Sequence, residues 1–190
     1  MLSFATQQDM TRLGDGYYRG RWLYYRRAQL ILGRIPGVDQ LEADQVLEIG
    51  PYRLPLVHDC HTMDVRDYQV HPTYLHDATK TPWPIEDGRY KVLVALQVWE
   101  HLDGKQRKAW QEARRVAEWA VVSVPYLWAK GVGTPDHCGI SLDTLAKWTR
   151  QRPERYCIVG NELVPLAPRI VCLYNLKAEQ LCSSTTRTKR

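Results

Sequence analysis

The chain predicts an α/β three-layer sandwich, built on a mostly parallel seven-stranded sheet with one antiparallel strand near the C-terminus. Three observations predict it. Short apolar runs alternate with amphipathic stretches from residue 17 to residue 176, the pattern of strand–helix–strand units. KVLVALQV, residues 91–98, is almost continuously apolar, as a strand buried on both faces must be. The last two strand-like runs, 155–160 and 169–176, are joined by a short linker with two prolines. That linker suits a hairpin, so one strand of the pair runs antiparallel. Right-handed crossovers between the remaining strands give a Rossmann-like arrangement with helices on both faces.

Each element has its own warrant. Residues 1–16 are polar and are expected to be flexible. Residues 17–34 read as a helix. Tyr24, Ala28, Ile31 and Ile35 form one apolar stripe, and Arg19, Arg26 and Arg34 lie on another face. Pro36-Gly37 ends it. Residues 45–49 form a short buried strand, followed by strands at 60–65 and 73–76. Pro82, Trp83 and Pro84 mark a loop that Asp87-Gly88 closes. Asp103 followed by Gln106 resembles a capping box. The helix it opens carries Ala109, Ala113, Val116, Ala117 and Ala120 on one face. Residues 120–126 are a further buried strand. Ser141 caps a later helix that Pro153 cannot continue. Residues 181–190 read as a disordered basic tail. Residues 17–180 therefore make a single domain, and the chain shows no internal repeat or low-complexity block.

Bulk properties narrow the function classes. A length of 190 residues suits one domain with a full core. Apolar residues at 44% and charged residues at 25% exclude fibrous and disordered classes. No apolar run approaches the roughly 20 residues that span a bilayer, and the first residues lack a secretion-signal pattern. Cys60, Cys138, Cys157, Cys172 and Cys182 form no CxxC pair and are odd in number. Reduced thiols in a cytoplasmic monomer or homodimer are the expectation, with no membrane partner. The net charge is +5. Residues 11–34 carry Arg12, Arg19, Arg21, Arg26, Arg27 and Arg34 against Asp15. The tail adds Arg187, Lys189 and Arg190. Such a rim suits nucleic acid, a membrane surface or an anionic substrate; its plainer reading is a solvated helix face. Tyr17, Tyr18, Trp22, Tyr24 and Tyr25 interleave with the arginines. They form either a stacking surface for bases or a helix whose rings pack inward.

In an open α/β sheet, ligands bind at the carboxyl ends of the strands. Glu48, Gly50, Pro51 and Tyr52 follow the first strand, Asp64 and Val65 the second, and Asp77 and Ala78 the third. Gln97, Val98, Trp99, Glu100 and His101 follow the fourth, and Pro125 and Tyr126 the fifth. A carboxylate can accept two hydrogen bonds from the vicinal hydroxyls of a ribose, and a glycine lets backbone approach a ligand closely. A dinucleotide fingerprint is absent. A P-loop is absent too, since Gly104-Lys105 lacks the earlier glycine and the hydroxyl. S-adenosylmethionine carries no phosphate, so one glycine suffices for it.

From Val46 to Val124 the chain resembles the class I S-adenosylmethionine-dependent methyltransferases, in particular the small-molecule group. VLEIGP looks like their first motif, and DATKTPWPIEDGRYKVLVALQVWEHL, residues 77–102, like their central block. DHCGISLDTLAKW, from Asp136, is similar to a His-containing segment before a late helix. YYRGRWLYYRRAQLIL, from Tyr17, resembles the helix that lids the cofactor. The resemblance implies that Glu48, Gly50, Pro51 and Tyr52 hold the methionine part. It places Asp64 with Val65 at the ribose, Asp77 with Ala78 at the adenine, and Gln97 with Val98 at the transfer site. The first motif departs from the family at Tyr52, Arg53 and Leu54, which replace the usual glycines. Asp64 also follows Gly50 by only 14 positions.

The implied activity is methyl transfer to an oxygen or nitrogen of a small-molecule acceptor. A hydroxyl acceptor needs a general base, and the candidates are His101, Glu100 and His137. His137 sits in the glycine-rich loop KGVGTPDHCG, where function often resides. The plainer alternatives are a helix-entry role for His101 and turn or cap roles for Asp64 and Asp77. Glu100 could pair with a cationic substrate or, with His101, bind a metal. No metal site is expected, because only two ligand types cluster and a catalytic metal wants three ligands. Two other readings stay open: an RNA methyltransferase using the basic aromatic helix, and a non-catalytic binding protein of the same fold.

Overall fold

The computed structural model describes residues 1–160 and 167–178. Its sheet consists of β1 (Val46–Ile49), β2 (His61–Asp64), β3 (Tyr74–Leu75), β4 (Tyr90–Leu96), β5 (Ala117–Pro125), β6 (Arg155–Val159) and β7 (Arg169–Asn175). The strand order is β3-β2-β1-β4-β5-β7-β6. β1 pairs in parallel with both β2 and β4, and β4 pairs in parallel with β5. β7 lies antiparallel between β5 and β6. It is the antiparallel strand the sequence predicts, inserted inside the sheet with β6 at the edge.

Period-two burial divides the core in two. Leu47, Ile49, Leu93, Ala95, Ala120, Val122, Ile170, Cys172 and Tyr174 face one layer, formed by α3 (Gln106–Val116) and α4 (Leu142–Thr149). Val46, Val92, Val94, Val121, Val171 and Leu173 face the other, formed by α1 (Gln7–Leu13) and α2 (Trp22–Leu32). Side chains alternate across a strand, so apolar runs in β4, β5 and β7 supply both cores at once. Trp110 anchors the first core, edge-on to Trp99 at 5.7 Å and to Tyr174 at 4.8 Å.

Several expectations are corrected. Residues 1–16 are not loose: Thr6 and Asp9 form a reciprocal capping box, and Leu2, Ala5 and Met10 are buried. The expected helix over 17–34 begins at Trp22, because Gly20 at φ 68° breaks it from a short 3-10 turn at Gly16–Tyr18. The capping box at Asp103 does not form. Asp103 and Gly104 both take left-handed backbone, and α3 starts after Lys105 with no side-chain cap. Ala117 and Ala120 are buried in β5, not on α3, because the chain turns directly from Val116 into the strand. Ser141 does cap α4, accepting from Thr144 N–H at 3.2 Å. Cys60, Cys138, Cys157 and Cys172 are free thiols. Among the described residues no helix is long and apolar enough to cross a membrane. The tail from 181 to 190 lies outside the described residues.

Candidate functional site

The sheet reverses direction of growth at β1, with β2 on one side and β4 on the other. A cleft of about 500 Å³ opens at the carboxyl ends of these strands, where such a switch point places a ligand. Gly50 and Tyr52 line it after β1, Asp64 and Val65 after β2, and Asp77 and Ala78 after β3. Gln97, Val98 and His101 line it after β4.

Gly50 is required by geometry. Its φ is 63°, and a Cβ there would stand 2.7 Å from Val98 Cγ2. Its N–H donates to the Met63 carbonyl at 2.9 Å, tying the turn to β2. The residues that replace the usual glycines have structural partners. The Tyr52 ring packs 5.0 Å from Tyr17 and 4.9 Å from Tyr68. Arg53 reaches Asp15 at 3.4 Å and Gln69 at 3.1 Å, and Leu54 is buried. The turn thus dispenses with a helix between β1 and β2 and clamps the N-terminal segment.

Two predicted cofactor residues are not part of the cleft. Glu48 shares the parity of Val46, so its side chain enters the core beneath α2. There its carboxylate accepts from Leu56 N–H at 2.6 Å, and burial pushes its pKa up to about 8. Pro51 presents only its carbonyl, 3.5 Å from the Tyr18 hydroxyl.

Asp64 is 7% exposed at the end of β2. Burial raises its carboxyl, against opposing backbone bonds from Arg66, Val65 and Tyr52. Asp77 is held low by the Thr79 backbone N–H (2.9 Å) and hydroxyl (2.8 Å), so it is committed to its own turn. The Gln97 side chain is oriented from both ends: it donates to Ser123 Oγ at 3.0 Å and accepts from Arg169 Nε at 3.2 Å. Sequence reasoning missed Arg169, Ser123 and Tyr68. Arg169 begins β7, 72 positions from Gln97, and carries no local motif that could reveal it. It is 3% exposed, and its Nη1 lacks a partner among the described residues.

The three predicted catalytic residues come together. His101 and His137 approach Nε2 to Nε2 at 3.4 Å. Thr134 N–H donates to His137 Nδ1 at 3.2 Å, so the neutral His137 ring carries its proton on Nε2 and donates to His101. His101 then bears its proton on Nδ1, 3.8 Å from Asp136 Oδ2. Burial lowers the His137 pKa, and the neighbouring His101 lowers it further. Glu100 is 4% exposed, both its oxygens lack a partner among the described residues, and burial pushes it up to about 8.

The cleft fits the cofactor that the sequence implies. Its volume suits a ligand of that size, Gly50 leaves its turn without a side chain beside Val98 in the cleft wall, and Asp64 offers a carboxylate at the strand end.

No family model matches the chain, and no curated protein matches it in sequence. Solved structures do. An S-adenosylmethionine-dependent methyltransferase from Aquifex aeolicus superposes with a TM-score of 0.53 at 14% identity, covering 87% of this chain and 97% of that one. A chain solved as the "complex between the Haloferax volcanii Trm112 methyltransferase activator and the putative methyltransferase" gives 0.58 at 11% identity, covering 90% and 94%. The [4+2]-cyclase SpnF gives 0.53 at 12%, covering 78% and 79%. Strand order, the antiparallel β7 and these likenesses agree: the chain has the fold of the class I S-adenosylmethionine-dependent methyltransferases.

Proposed function

We propose that the chain is an S-adenosylmethionine-dependent methyltransferase acting on an oxygen or nitrogen of a small molecule. One observation carries this reading: the switch-point cleft joins the Gly50 cradle, the Asp64 carboxylate and the Gln97–His101 wall in one space. The bound cofactor supplies a methyl group on a sulfonium, open to in-line displacement by a nucleophile. Asp64 would accept hydrogen bonds from the ribose hydroxyls. Ala78, small and beside the committed Asp77, leaves room for a flat base. Tyr17, Tyr52 and Tyr68 also line the cleft, and Gln97, fixed by Ser123 and Arg169, positions the acceptor.

His101 is the base for a hydroxyl acceptor. It takes the proton at Nε2 once the acceptor hydroxyl displaces the His137 N–H from that atom, and the Asp136 carboxylate, 3.8 Å from Nδ1, stabilises the imidazolium so formed by charge. His137, kept neutral by burial and by its neighbour, does not compete for that proton.

The RNA reading loses three of its five aromatic rings and keeps the exposed Tyr17 and the half-buried Trp22. Tyr18, Tyr24 and Tyr25 are buried under the sheet, where no base can stack on them. The reading as a non-catalytic relative loses its support at residues 52–54, since the turn packs onto Tyr17 and Asp15 and leaves the cleft open.

Calorimetry with S-adenosylmethionine and S-adenosylhomocysteine tests the proposal. Micromolar binding is expected, weakened roughly tenfold or more in Asp64→Ala, the loss of one charge-assisted hydrogen bond or more. Absence of binding to the folded parent overturns it.

A further inference from the structure

We propose that Glu100, His101 and His137 form a site for a divalent transition-metal ion of the Zn²⁺ type, beside the cleft. One ligand atom from each lies within 4.8 Å of the others. The two imidazole Nε2 atoms are 3.4 Å apart. Two such atoms bound to one tetrahedral zinc at about 2.05 Å stand roughly 3.3 Å apart. An ion would therefore replace the His137–His101 hydrogen bond with little change in their spacing.

Glu100 is an independent pointer. It is 4% exposed, and neither of its carboxylate oxygens has a hydrogen-bond partner among the described residues. A buried carboxyl group without a partner is costly and rare. A cation held jointly with the two imidazoles would satisfy it, since Arg169 acts on it through charge alone and makes no hydrogen bond to it. Sequence reading expected no metal because it found only Glu100 and His101 together. His137 is the third ligand, 36 positions further on.

The surroundings hold the ligands. Trp128 packs edge-on to the His137 ring at 5.1 Å, and a Cβ at Gly133 would collide with His137 Nδ1. Asp136 stands 3.8 Å from His101 Nδ1; a carboxylate behind an imidazole keeps the proton on that side and leaves Nε2 for the ion. His137 must change partner. Its Nδ1 accepts from the exposed Thr134 N–H, and ligation through Nε2 moves the proton to Nδ1. Thr134 N–H then turns to water as the ion loads.

Two imidazoles and one carboxylate leave a coordination position open. His101 belongs to the cleft wall, so it would hold the ion at the edge of the space open to the acceptor. The ion would hold the acceptor hydroxyl and lower its pKa, with His101 then a ligand and not a base. This role rests on the methyl-transfer reading; binding of the ion does not.

Co²⁺ titration of chelator-treated protein, followed by visible absorption, tests the site. One equivalent is expected to give an intense low-symmetry spectrum that Zn²⁺ abolishes. His137→Ala and Glu100→Gln should each weaken binding on the order of 100-fold, and circular dichroism reports the fold of each variant. His71→Ala, whose ring pairs with Asp67 on the surface, should change nothing. Absence of the spectrum in the folded parent overturns the proposal, as does equal binding by both folded ligand variants. S-adenosylhomocysteine calorimetry on the same metal-free preparations separates the two readings, because a cleft that binds it without any Co²⁺ site leaves methyl transfer standing and removes the metal.

Discussion

At Gly50 two demands meet in one residue. The backbone lies at φ 63°, and any Cβ would press on Val98 from 2.7 Å. Both residues line the cleft. Gly50→Ala is expected to lower stability by about 1–3 kcal/mol and to weaken S-adenosylhomocysteine binding more than tenfold. Urea denaturation and calorimetry check the two parts separately. This requirement was half legible: the sequence marks Gly50 as the one glycine of its turn, but the pressing neighbour, Val98, lies on another strand. Glu48 shows the opposite case. Its place in the motif suggested a ligand contact, yet strand parity turns it into the core, where Leu56 N–H holds it. The apolar alternation of Val46, Leu47 and Ile49 could not reveal that, because both faces of β1 are buried.

At the scale of elements, the N-terminal helix is the main surprise. Thr6 Oγ1 accepts from Asp9 N–H at 3.2 Å, and Asp9 Oδ2 accepts from Thr6 N–H at 2.8 Å. Ala5 N–H donates to Leu56 O at 3.0 Å, and Gln29 Nε2 donates to Ala5 O at 2.7 Å. The segment therefore closes the core over Leu56 and Val57. Thr6→Ala is expected to cost about 1 kcal/mol as a lost cap. Deletion of residues 1–14 should cost several kcal/mol, about 1.5–3 for each large apolar side chain exposed. Denaturant midpoints of the three chains measure both. The Thr-x-x-Asp spacing was present as a signal, but the polar composition around it concealed the buried Leu2, Ala5 and Met10. The reverse holds at Asp103, where a capping pattern is overridden by left-handed backbone at Asp103 and Gly104.

For the whole molecule, burial of Glu48 couples folding to pH. Its carboxyl lies at about 8 in the fold against an ordinary 4.5. Between these values the folded state keeps a proton that the unfolded chain has released. The group's contribution to stability is fully present below pH 4.5 and is lost as pH rises to about 8, with a slope of at most about 1.4 kcal/mol per unit. Glu48→Gln should flatten the fall in unfolding free energy between pH 5 and 8, measured by urea titration at several pH values; an unchanged slope would assign it to other groups. Sequence alone determined the strand–helix alternation, the antiparallel strand and most residues at the strand ends. Those follow from local periodicity and short apolar runs, which every residue in an element repeats. Tertiary structure decided the docking of the N-terminus, the inward turn of Glu48, the reach of Arg169 to Gln97 and the meeting of His101 with His137. These contacts join residues up to 72 positions apart. Their approach depends on the paths of loops and the packing of two cores, which no local pattern encodes.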